Sequence, residues 1–368
     1  MDFRKVLNNI DWWLVFAVFC LMIFGLVLIY SATLSFNLQT GKAWHVQRQS
    51  IFMIIGIVLV IASLFVDYRD IKQYEKYLYG FNLALLILVM AVGKSQLGAQ
   101  RWISIGGFQF QPSEFSKVFL IICLAAFVER KLNSLMEFKD YLPIFLYILF
   151  PFILVMRQPD LGTSLTFIAI LISVIFVAGF KYKWFAICGT LGVCMMPLFW
   201  MVLKDYQKNR ILTFLDPGRD PFGRGYHVIQ SKIAIGSGGL MGQGWLNGAQ
   251  SQLNFLPENH TDFIFAVAGE EFGLIGTSLI IILYGIVIWR AVVIAINAED
   301  DFGALLATGV TGMFMFHILV NIGMTAGVMP VTGVPLPFLS YGVSSLITNL
   351  MLVALLLNIR FHQQKLQF

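Results

Sequence analysis

The chain has 368 residues, of which 58% are hydrophobic and 12% charged, and its mean hydropathy is +0.79. Soluble domains contain roughly half apolar and a quarter charged residues, so this composition excludes an ordinary soluble protein and indicates an integral membrane protein. The net charge of +5 comes from bases spread through the loops without a basic run, which argues against a nucleic-acid partner.

Ten apolar runs follow one another along the chain, and their lengths suit membrane-spanning helices of about 20 residues. The eighth run is interrupted by Glu270 and Glu271, so we expect its helix to begin outside the membrane and to enter it at about Leu274. The pattern predicts an all-α integral membrane protein, a polytopic bundle of about ten transmembrane helices forming a single domain over residues 1–368. The runs cover residues 12–31, 50–66, 77–93, 113–128, 141–156, 161–180, 184–203, 264–297, 303–323 and 341–360.

The distribution of bases in the short loops predicts the orientation of the bundle. Arg69, Lys72, Arg130 and Arg290 are among the many bases that fall on one side if each run crosses once, whereas the opposite short loops hold few. Loops rich in Lys and Arg stay in the cytoplasm. We therefore expect both termini to be cytoplasmic and the long loop at 204–262, between helices 7 and 8, to be extracytoplasmic.

The first polar set near the outer side combines Arg101-Trp102 with Gln111-Pro112-Ser113-Glu114 and Lys117. Pro112 suits the first turn of a helix, which places Glu114 and Lys117 three residues apart on one helical face, where they can pair. A structural ion pair there would add little net stability. Ionisable residues inside a span more often mark a pathway or a site, so we interpret this pair as functional.

The second polar set is Arg157-Gln158-Pro159-Asp160-Leu161-Gly162-Thr163, the short connection between the fifth and sixth runs. Asp160 could cap the following helix or could contact a ligand, and the residues alone leave both interpretations open. His317, alone in the ninth run, is interpreted as a hydrogen-bonded bundle residue and not as a ligand.

The third polar set is the long loop. Asp216-Pro217 predicts a turn, and residues 225–232 predict an amphipathic helix. The glycine-rich stretch 236–244 is either a flexible hinge or a turn whose amides bind an anion.

His260-Thr261-Asp262 stands just before the next helix and allows three interpretations. Thr261 or Asp262 could cap that helix. His260 with Asp262 and Glu258 could hold a metal ion, although the spacing is not that of a dedicated zinc site. A carboxylate at the outer surface, flanked by cations, also fits a general base that acts on a lipid-borne substrate.

Taken together, these segments resemble the SEDS family (shape, elongation, division, sporulation), and within it the elongation branch. The resemblance covers nearly the whole chain in the family's order, although Val343 stands where a second glycine normally follows Gly342. The matching motifs include Gly98-Ala99-Gln100-Arg101-Trp102, Gln111-Pro112-Ser113-Glu114, Gln158-Pro159-Asp160-Leu161-Gly162-Thr163, Gln230-Ser231-Lys232, His260-Thr261-Asp262 and Pro335-Leu336-Pro337-Phe338-Leu339-Ser340-Tyr341-Gly342.

The resemblance implies a peptidoglycan glycosyltransferase that polymerises lipid II on the outer face of the bacterial cytoplasmic membrane. It implies that Asp262 is the essential carboxylate and that Trp102, Glu114 and Lys117 are functionally sensitive. The implied partners are a class B penicillin-binding protein, which is a transpeptidase, together with undecaprenyl-linked glycan and membrane lipids.

We expect Asp262 to be the general base of an inverting transfer, with basic side chains facing the pyrophosphate and a divalent ion such as Mg²⁺ as a further candidate. No residue is assigned as a metal ligand. The candidate substrate-binding residues are Arg48, Arg101, Trp102, Gln111, Ser113, Glu114, Lys117, Asp160, Arg210, Lys232, Glu258, His260, Thr261 and Ser340.

Two other functions fit the same residues. In a lipid II flippase, Glu114 and Lys117 would line a translocation route. In a non-enzymatic scaffold of the elongation complex, substitution of Asp262 would leave cell shape unchanged. A transporter places its essential polar groups near the bilayer midplane, whereas here they crowd the outer side, which favours the enzyme.

Overall fold

The computed structural model describes residues 10–96, 99–105, 108–202, 205–220 and 223–363. Of the positions discussed above, Gly98, residue 204 at the start of the long loop, residues 221–222 within it and both chain termini lie outside the described residues.

The described chain is mainly helical, and a helix coincides with each of the ten predicted apolar runs. The long loop adds shorter helices, including the predicted amphipathic one. In chain order the helices are α1 (Trp12–Ala32), α2 (Leu34–Thr40), α3 (Trp44–Ser63), α4 (Glu75–Val92), α5 (Pro112–Lys131), α6 (Leu142–Arg157), α7 (Leu161–Val177), α8 (Tyr182–Val202), α9 (Asp205–Leu215), α10 (Arg224–Gly238), α11 (Ala249–Gln252), α12 (Ile264–Ile296), α13 (Asp301–Thr325) and α14 (Val343–Phe361).

Seven helical segments of the described chain are long and apolar enough to cross a membrane: α1, α3, α12, α13 and α14, and also α4 and α6, each together with the short 3₁₀ helix before it. Helix α7 and residues 182–198 of α8 are apolar but shorter. Helix α5 carries Glu114 in its first turn and Arg130 and Lys131 in its last. The prediction of an all-α polytopic membrane protein is confirmed.

A small antiparallel sheet, which the sequence analysis did not predict, joins α4 to α5. Its strands are β1 (Lys94–Gln96), β2 (Ala99–Ile105) and β3 (Phe108–Phe110), in the order β1-β2-β3. Trp102 pairs with Lys94 and Ile103 pairs with Phe110. The sheet carries the Arg101-Trp102 segment and ends directly before Pro112, the first residue of α5.

The core lies around α5, α13 and α14, which bury most of their side chains. Helix α13 packs on α7 and α12, α14 packs on α3, and α12 packs on α1 and α10. Helices α3 and α8 expose large apolar side chains such as Ile54, Val58, Leu191 and Met196. An apolar exterior of this kind suits lipid as the solvent, because the hydrocarbon interior offers no partners to polar groups.

Helix α12 is interrupted at Gly273, whose φ of 61° and ψ of −156° are not helical. The freed amides of Leu274 and Ile275 donate to the carbonyls of Gly239 (2.9 Å) and Leu240 (3.1 Å). The break therefore lies one residue before Leu274, the point at which the sequence predicted the helix to enter the membrane.

The glycine-rich stretch 236–244 packs against the first half of α12. A Cβ on Gly238 would stand 1.9 Å from the Gly269 carbonyl oxygen. The amides of Gln243 and Gly244 donate to the Glu270 carbonyl (2.9 Å) and the Glu271 carbonyl (3.1 Å). Since these amides are already bonded to the backbone, they are not available to bind an anion. The glycines permit close packing of two backbones.

Candidate functional site

The segment that carries Asp262 is fixed by its own backbone. The His260 carbonyl accepts a hydrogen bond from the Tyr341 amide at 2.9 Å, and the Thr261 carbonyl accepts one from the Ser340 hydroxyl at 2.7 Å. Both donors belong to the loop before α14. Asp262 is therefore held in register with the Pro335–Gly342 motif singled out in the sequence.

A third bond in this series comes from the core. The side-chain amide of Asn321, on α13, donates to the Asp262 carbonyl at 3.0 Å and to the Val334 carbonyl at 2.8 Å. The neighbouring Gly333 has a φ of +75°, and a Cβ built on it would lie 3.4 Å from Asp262 Oδ2. The 332–334 backbone thus runs alongside the carboxylate.

Neither Thr261 nor Asp262 caps the next helix, so that structural interpretation is wrong. Helix α12 begins after Phe263, which occupies the N-cap position without a side-chain hydrogen bond. The Thr261 hydroxyl instead donates to the Glu258 carboxylate at 3.0 Å. The carboxylate of Asp262 is left available for another role.

The surroundings of Asp262 raise the pKa of its carboxyl toward neutral pH. Burial raises the pKa of its carboxyl to about 7, and the negative charge of Glu258 acts in the same direction. The Arg210 and Arg101 guanidinium groups oppose the shift, while Asp160 adds to it. A side chain whose pKa lies near the working pH is suited to accept a proton during a reaction.

His260 is not a cation at this site. Burial lowers the pKa of its imidazole, and the nearby Glu258 charge only partly opposes that effect. A histidine whose pKa lies below the ordinary 6.5 is mainly neutral at pH 7. The positive charge near Asp262 therefore comes from arginine.

Arg210 lies on α9 and reaches the backbone that borders Asp262. Its Nη1 donates to the Thr332 carbonyl at 3.4 Å. Thr332 is followed by Gly333, the residue beside Asp262 Oδ2. One short backbone segment therefore contacts both the carboxylate and the guanidinium group.

Asp160 forms a second polar cluster and does cap α7. It accepts hydrogen bonds from the Thr163 amide at 3.2 Å and from the Thr163 hydroxyl at 3.0 Å. The Ser113 hydroxyl and the Gln111 side-chain amide each approach Asp160 Oδ2 at 3.4 Å. The capping interpretation is confirmed, and the cap joins α7 to the start of α5.

Arg101 joins this cluster from β2. Its Nη1 lies 3.7 Å from Asp160 Oδ1. Its Nε donates to the Gln158 carbonyl at 3.1 Å, and its Nη2 donates to the Pro159 carbonyl. The α6–α7 connection is therefore bonded to the small sheet.

Glu114 and Lys117 form the predicted ion pair inside the bundle. Lys117 Nζ lies 2.7 Å from Glu114 Oε1, and the two residues are 1% and 4% exposed. His317 is hydrogen-bonded in place, with Nε2 3.3 Å from the Thr166 hydroxyl and Nδ1 3.3 Å from the Pro335 carbonyl. Its interpretation as a satisfied bundle residue is confirmed.

Three further predicted residues, Arg48, Lys232 and Trp102, contact residues other than Asp262. The Arg48 guanidinium lies 4.2 Å from the centre of the Trp44 ring, and its positive charge lowers the pKa of the nearby Tyr341 hydroxyl against the larger opposing effect of burial. The stem of Lys232 lies against Gly327, just beyond α13. Trp102 lies in β2 opposite Lys94. The structure thus groups Glu258, His260, Thr261 and Ser340 with Asp262, within electrostatic reach of Arg210, Asp160 and Arg101.

Within the described residues, no group of three or more His, Cys, Asp or Glu side chains is placed to hold a metal ion. Mg²⁺ is often held by only one or two carboxylates and completes its shell with water and substrate phosphates. The described residues offer no cage of their own for Mg²⁺.

A family model described as "Cell cycle protein", which covers FtsW, RodA and SpoVE, matches residues 12–365. The chain belongs to the SEDS family. Its relatives include the peptidoglycan glycosyltransferase MrdB of Escherichia coli (strain K12), which is 39% identical over 347 residues, covering 94% of each chain.

Solved structures share this fold over nearly their full length. One is a chain from a peptidoglycan synthase complex studied for the structural coordination of polymerization and crosslinking, with a TM-score of 0.82, 36% identity and coverage of 96% of this chain and 99% of that one. Another is the rod shape determining protein RodA of Thermus thermophilus, with a TM-score of 0.72, 29% identity and coverage of 97% and 98%.

Two residues of this site, Asn321 and Gly333, were not among those predicted from the sequence. Asn321 is an isolated amide in an apolar run, and such a residue is as easily explained by helix packing. Gly333 is one glycine in a loop that also contains Gly327. Their roles depend on contacts with Asp262, far along the chain, and local pattern carries no signal for such contacts.

Proposed function

We propose that this SEDS protein is a peptidoglycan glycosyltransferase that polymerises lipid II on the outer face of the bacterial cytoplasmic membrane, with Asp262 as the general base. The observation that carries the proposal is a carboxylate on a backbone-fixed segment, with a pKa of about 7, within electrostatic reach of Arg210 and Arg101. Its relative MrdB bears the name of this activity.

In the proposed reaction, the ionised Asp262 accepts the proton of the acceptor sugar's 4-hydroxyl group. The oxygen attacks the anomeric carbon of the donor sugar and forms the new glycosidic bond. The bond from that carbon to the undecaprenyl pyrophosphate breaks, and the pyrophosphate leaves with the electron pair. An α-linked donor gives a β-1,4 product by this single inversion, so no covalent enzyme intermediate is required.

The leaving pyrophosphate gains negative charge and needs nearby cations. Arg210 and Arg101 act on the charge of Asp262 and are our first choices, since a guanidinium group presents a fork of donors that matches phosphate oxygens. Arg48 and Lys117 remain further candidates. We assign Thr261 and Ser340 to holding the Asp262 segment, because the Ser340 hydroxyl bonds to the Thr261 carbonyl.

The other predicted residues complete the proposed substrate surface. Gln111, Ser113 and Asp160 form the cluster that positions Arg101, and Glu258 acts on the charge of Asp262. We keep Trp102, Glu114, Lys232 and His260 as candidate substrate contacts.

We further propose that both termini are cytoplasmic, that the site is extracytoplasmic and that the partner is a class B penicillin-binding protein of the elongation complex. The similarity to a chain of a peptidoglycan synthase complex supports a partner that crosslinks the strands. The asymmetry of loop charge supports the orientation.

The test is polymerisation of purified lipid II by the protein with its transpeptidase partner. Asp262→Ala is expected to lose nearly all strand synthesis, because the attacking hydroxyl loses its proton acceptor, while the protein stays folded. Asp216→Ala is the matched control. Asp216 is an aspartate of the same loop whose side chain accepts from the Gly218 amide in an exposed turn, and its loss should leave synthesis near the wild-type rate.

Full activity of correctly folded Asp262→Ala would show that the base is assigned wrongly. A separate measurement addresses the flippase. In proteoliposomes that allow both readouts, headgroup translocation without glycan synthesis would refute the enzyme and favour the transporter.

A further inference from the structure

Asn321 lies on the core helix α13 and is 0% exposed. Its single amide nitrogen donates to two carbonyls, at 3.0 Å to Asp262 and at 2.8 Å to Val334. The two carbonyls belong to segments on opposite sides of α13 in the sequence, one before α12 and the other in the loop before α14. One side chain therefore joins the two loop segments of the site.

The chemistry of the two partners fixes the orientation of this amide. A carbonyl can only accept, so the side that faces both of them must be the NH₂ group, which has two hydrogens to give. The Asn321 Oδ1 atom is buried and finds no partner among the described residues. The Asn321 side chain therefore acts at this position as a donor of two hydrogen bonds.

The bonds of Asn321 set a spacing that matters for the reaction. On one side, Asp262 carries the carboxylate. On the other side, Val334 ends the segment Thr332-Gly333-Val334. In this segment Gly333 lies beside Asp262 Oδ2, and the Thr332 carbonyl accepts a hydrogen bond from Arg210. Asn321 thus links the backbone of the general base to the backbone segment that holds the guanidinium group.

We propose that Asn321 is a positioning residue for glycosyl transfer, which holds the Asp262 carboxylate at a fixed distance from the 332–334 backbone and hence from Arg210. The proposal rests on the function proposed above. It predicts a loss in the rate of the chemical step, whereas a residue that only stabilises the fold would change the amount of folded protein.

The test uses the full chain with its transpeptidase partner and compares Asn321→Leu with Asn349→Leu. Leu has the same branched skeleton of four side-chain heavy atoms as Asn and removes both donors. Asn349 is a matched control, because it is a 1% exposed asparagine in α14 that bonds to Ser345 of its own helix at 3.3 Å. For each variant, kcat and KM for lipid II are measured per folded protein over a range of pH.

Asn321→Leu is expected to lower kcat by about 10²-fold, a loss typical of a reacting group displaced by about 1 Å. KM should change by less than about threefold, since the substrate contacts are untouched. The acid limb of the pH profile should move to lower pH as the Asp262 carboxylate becomes better solvated among its charged neighbours Glu258, Asp160, Arg210 and Arg101. Asn349→Leu should leave kcat and the limb unchanged.

Wild-type kcat with an unmoved acid limb in folded Asn321→Leu would overturn the proposal, and so would equal effects in both variants. If Asn321→Leu does not fold, Asn321→Ser replaces it, and wild-type kcat of that variant would equally overturn the proposal. Failure of the proposed function gives a different result, because Asp262→Ala would then remain active whatever Asn321 does.

Discussion

The carboxylates of Asp160 and Asp262 differ in their hydrogen-bond partners. The Asp160 carboxylate accepts hydrogen bonds from the amide and the hydroxyl of Thr163, and these bonds cap α7. Within the described part of the chain, no donor bonds to the carboxylate oxygens of Asp262, although the carbonyl of the same residue is bonded. A carboxylate free of structural bonds, with a pKa of about 7, is available to a substrate hydroxyl.

The charge of Glu258 should raise the pH at which the enzyme becomes active, in addition to the larger effect of burial. If Asp262 is the base proposed above, only its ionised form supports transfer, and the rate should rise with pH through about 7. Glu258 raises the pKa of Asp262, and Glu258→Gln removes that negative charge. The acid limb of kcat/KM should therefore move to lower pH, and the variant should retain a larger fraction of its maximal rate at pH 6.

The control for this change is Glu299→Gln. Glu299 pairs with Arg69 at the start of α13, far from the site, and its loss should leave the limb where the wild type has it. A limb that stays in place or moves upward in Glu258→Gln would contradict the assignment of Asp262 as the titrating base.

Helices α10 and the first half of α12 pack closely through their backbones. The Gly242 amide donates to the Gly238 carbonyl at 2.8 Å, and the next two amides donate to α12. The carboxylate of Glu270 accepts from the Gln250 and Ser251 amides at 2.7 and 3.1 Å, which ties α11 to the same half of α12. This half follows Asp262 directly, so its packing positions the site.

Gly238→Ala should destabilise this packing. The added Cβ would meet the Gly269 carbonyl oxygen at 1.9 Å, and backbone cannot move aside as a side chain can. Overpacking of this kind costs about 1–3 kcal/mol. Thermal unfolding of the purified protein should show a clear fall in melting temperature.

Gly236→Ala provides the control on the same helix, because its Cβ would have nothing within 4 Å. A Gly-to-Ala change at a compatible site stabilises by about 0.4–1 kcal/mol. Equal melting temperatures for the two variants would show that the close approach at Gly238 is unimportant.

The sequence predicts elements well where one physical demand dominates. Lipid requires long apolar helices, so all ten runs coincide with helices, and the Pro112 start and the Asp160 cap follow from local chemistry. Strands β1 and β3 have three residues each and are too short to show a period. The Asn321 bonds and the glycine packing join segments distant in the chain, and a local pattern does not contain that information.

At the scale of the whole molecule, α13 separates two polar regions. Its first residues adjoin Arg69, Glu299 and Asp300, which form ion pairs around one end of the bundle. Asn321, which bonds to Asp262, lies twenty residues further along. At 1.5 Å per residue this is about 30 Å, the thickness of the hydrocarbon core of a bilayer. The site and the Arg69 cluster should thus face opposite sides of the membrane.

Single-cysteine labelling tests this orientation. In a variant without Cys20, Cys123, Cys188 and Cys194, a membrane-impermeant thiol reagent added to spheroplasts should label Asn247→Cys and spare Glu299→Cys, because only the first would face outward. After permeabilisation both should react, which controls for accessibility. Labelling of Glu299→Cys alone before permeabilisation would reverse the proposed topology.

The break at Gly273 has a mechanical consequence. The two amides freed by the break donate to the carbonyls of Gly239 and Leu240, so we expect the bend to be rigid. A partner subunit that binds the exposed side chains of residues 274–296 could tilt this part of α12. Because the bend is rigid, residues 264–272 would tilt with it. Asp262 lies just before residue 264, so a displacement of the helix inside the bilayer would also move the Asp262 carboxylate.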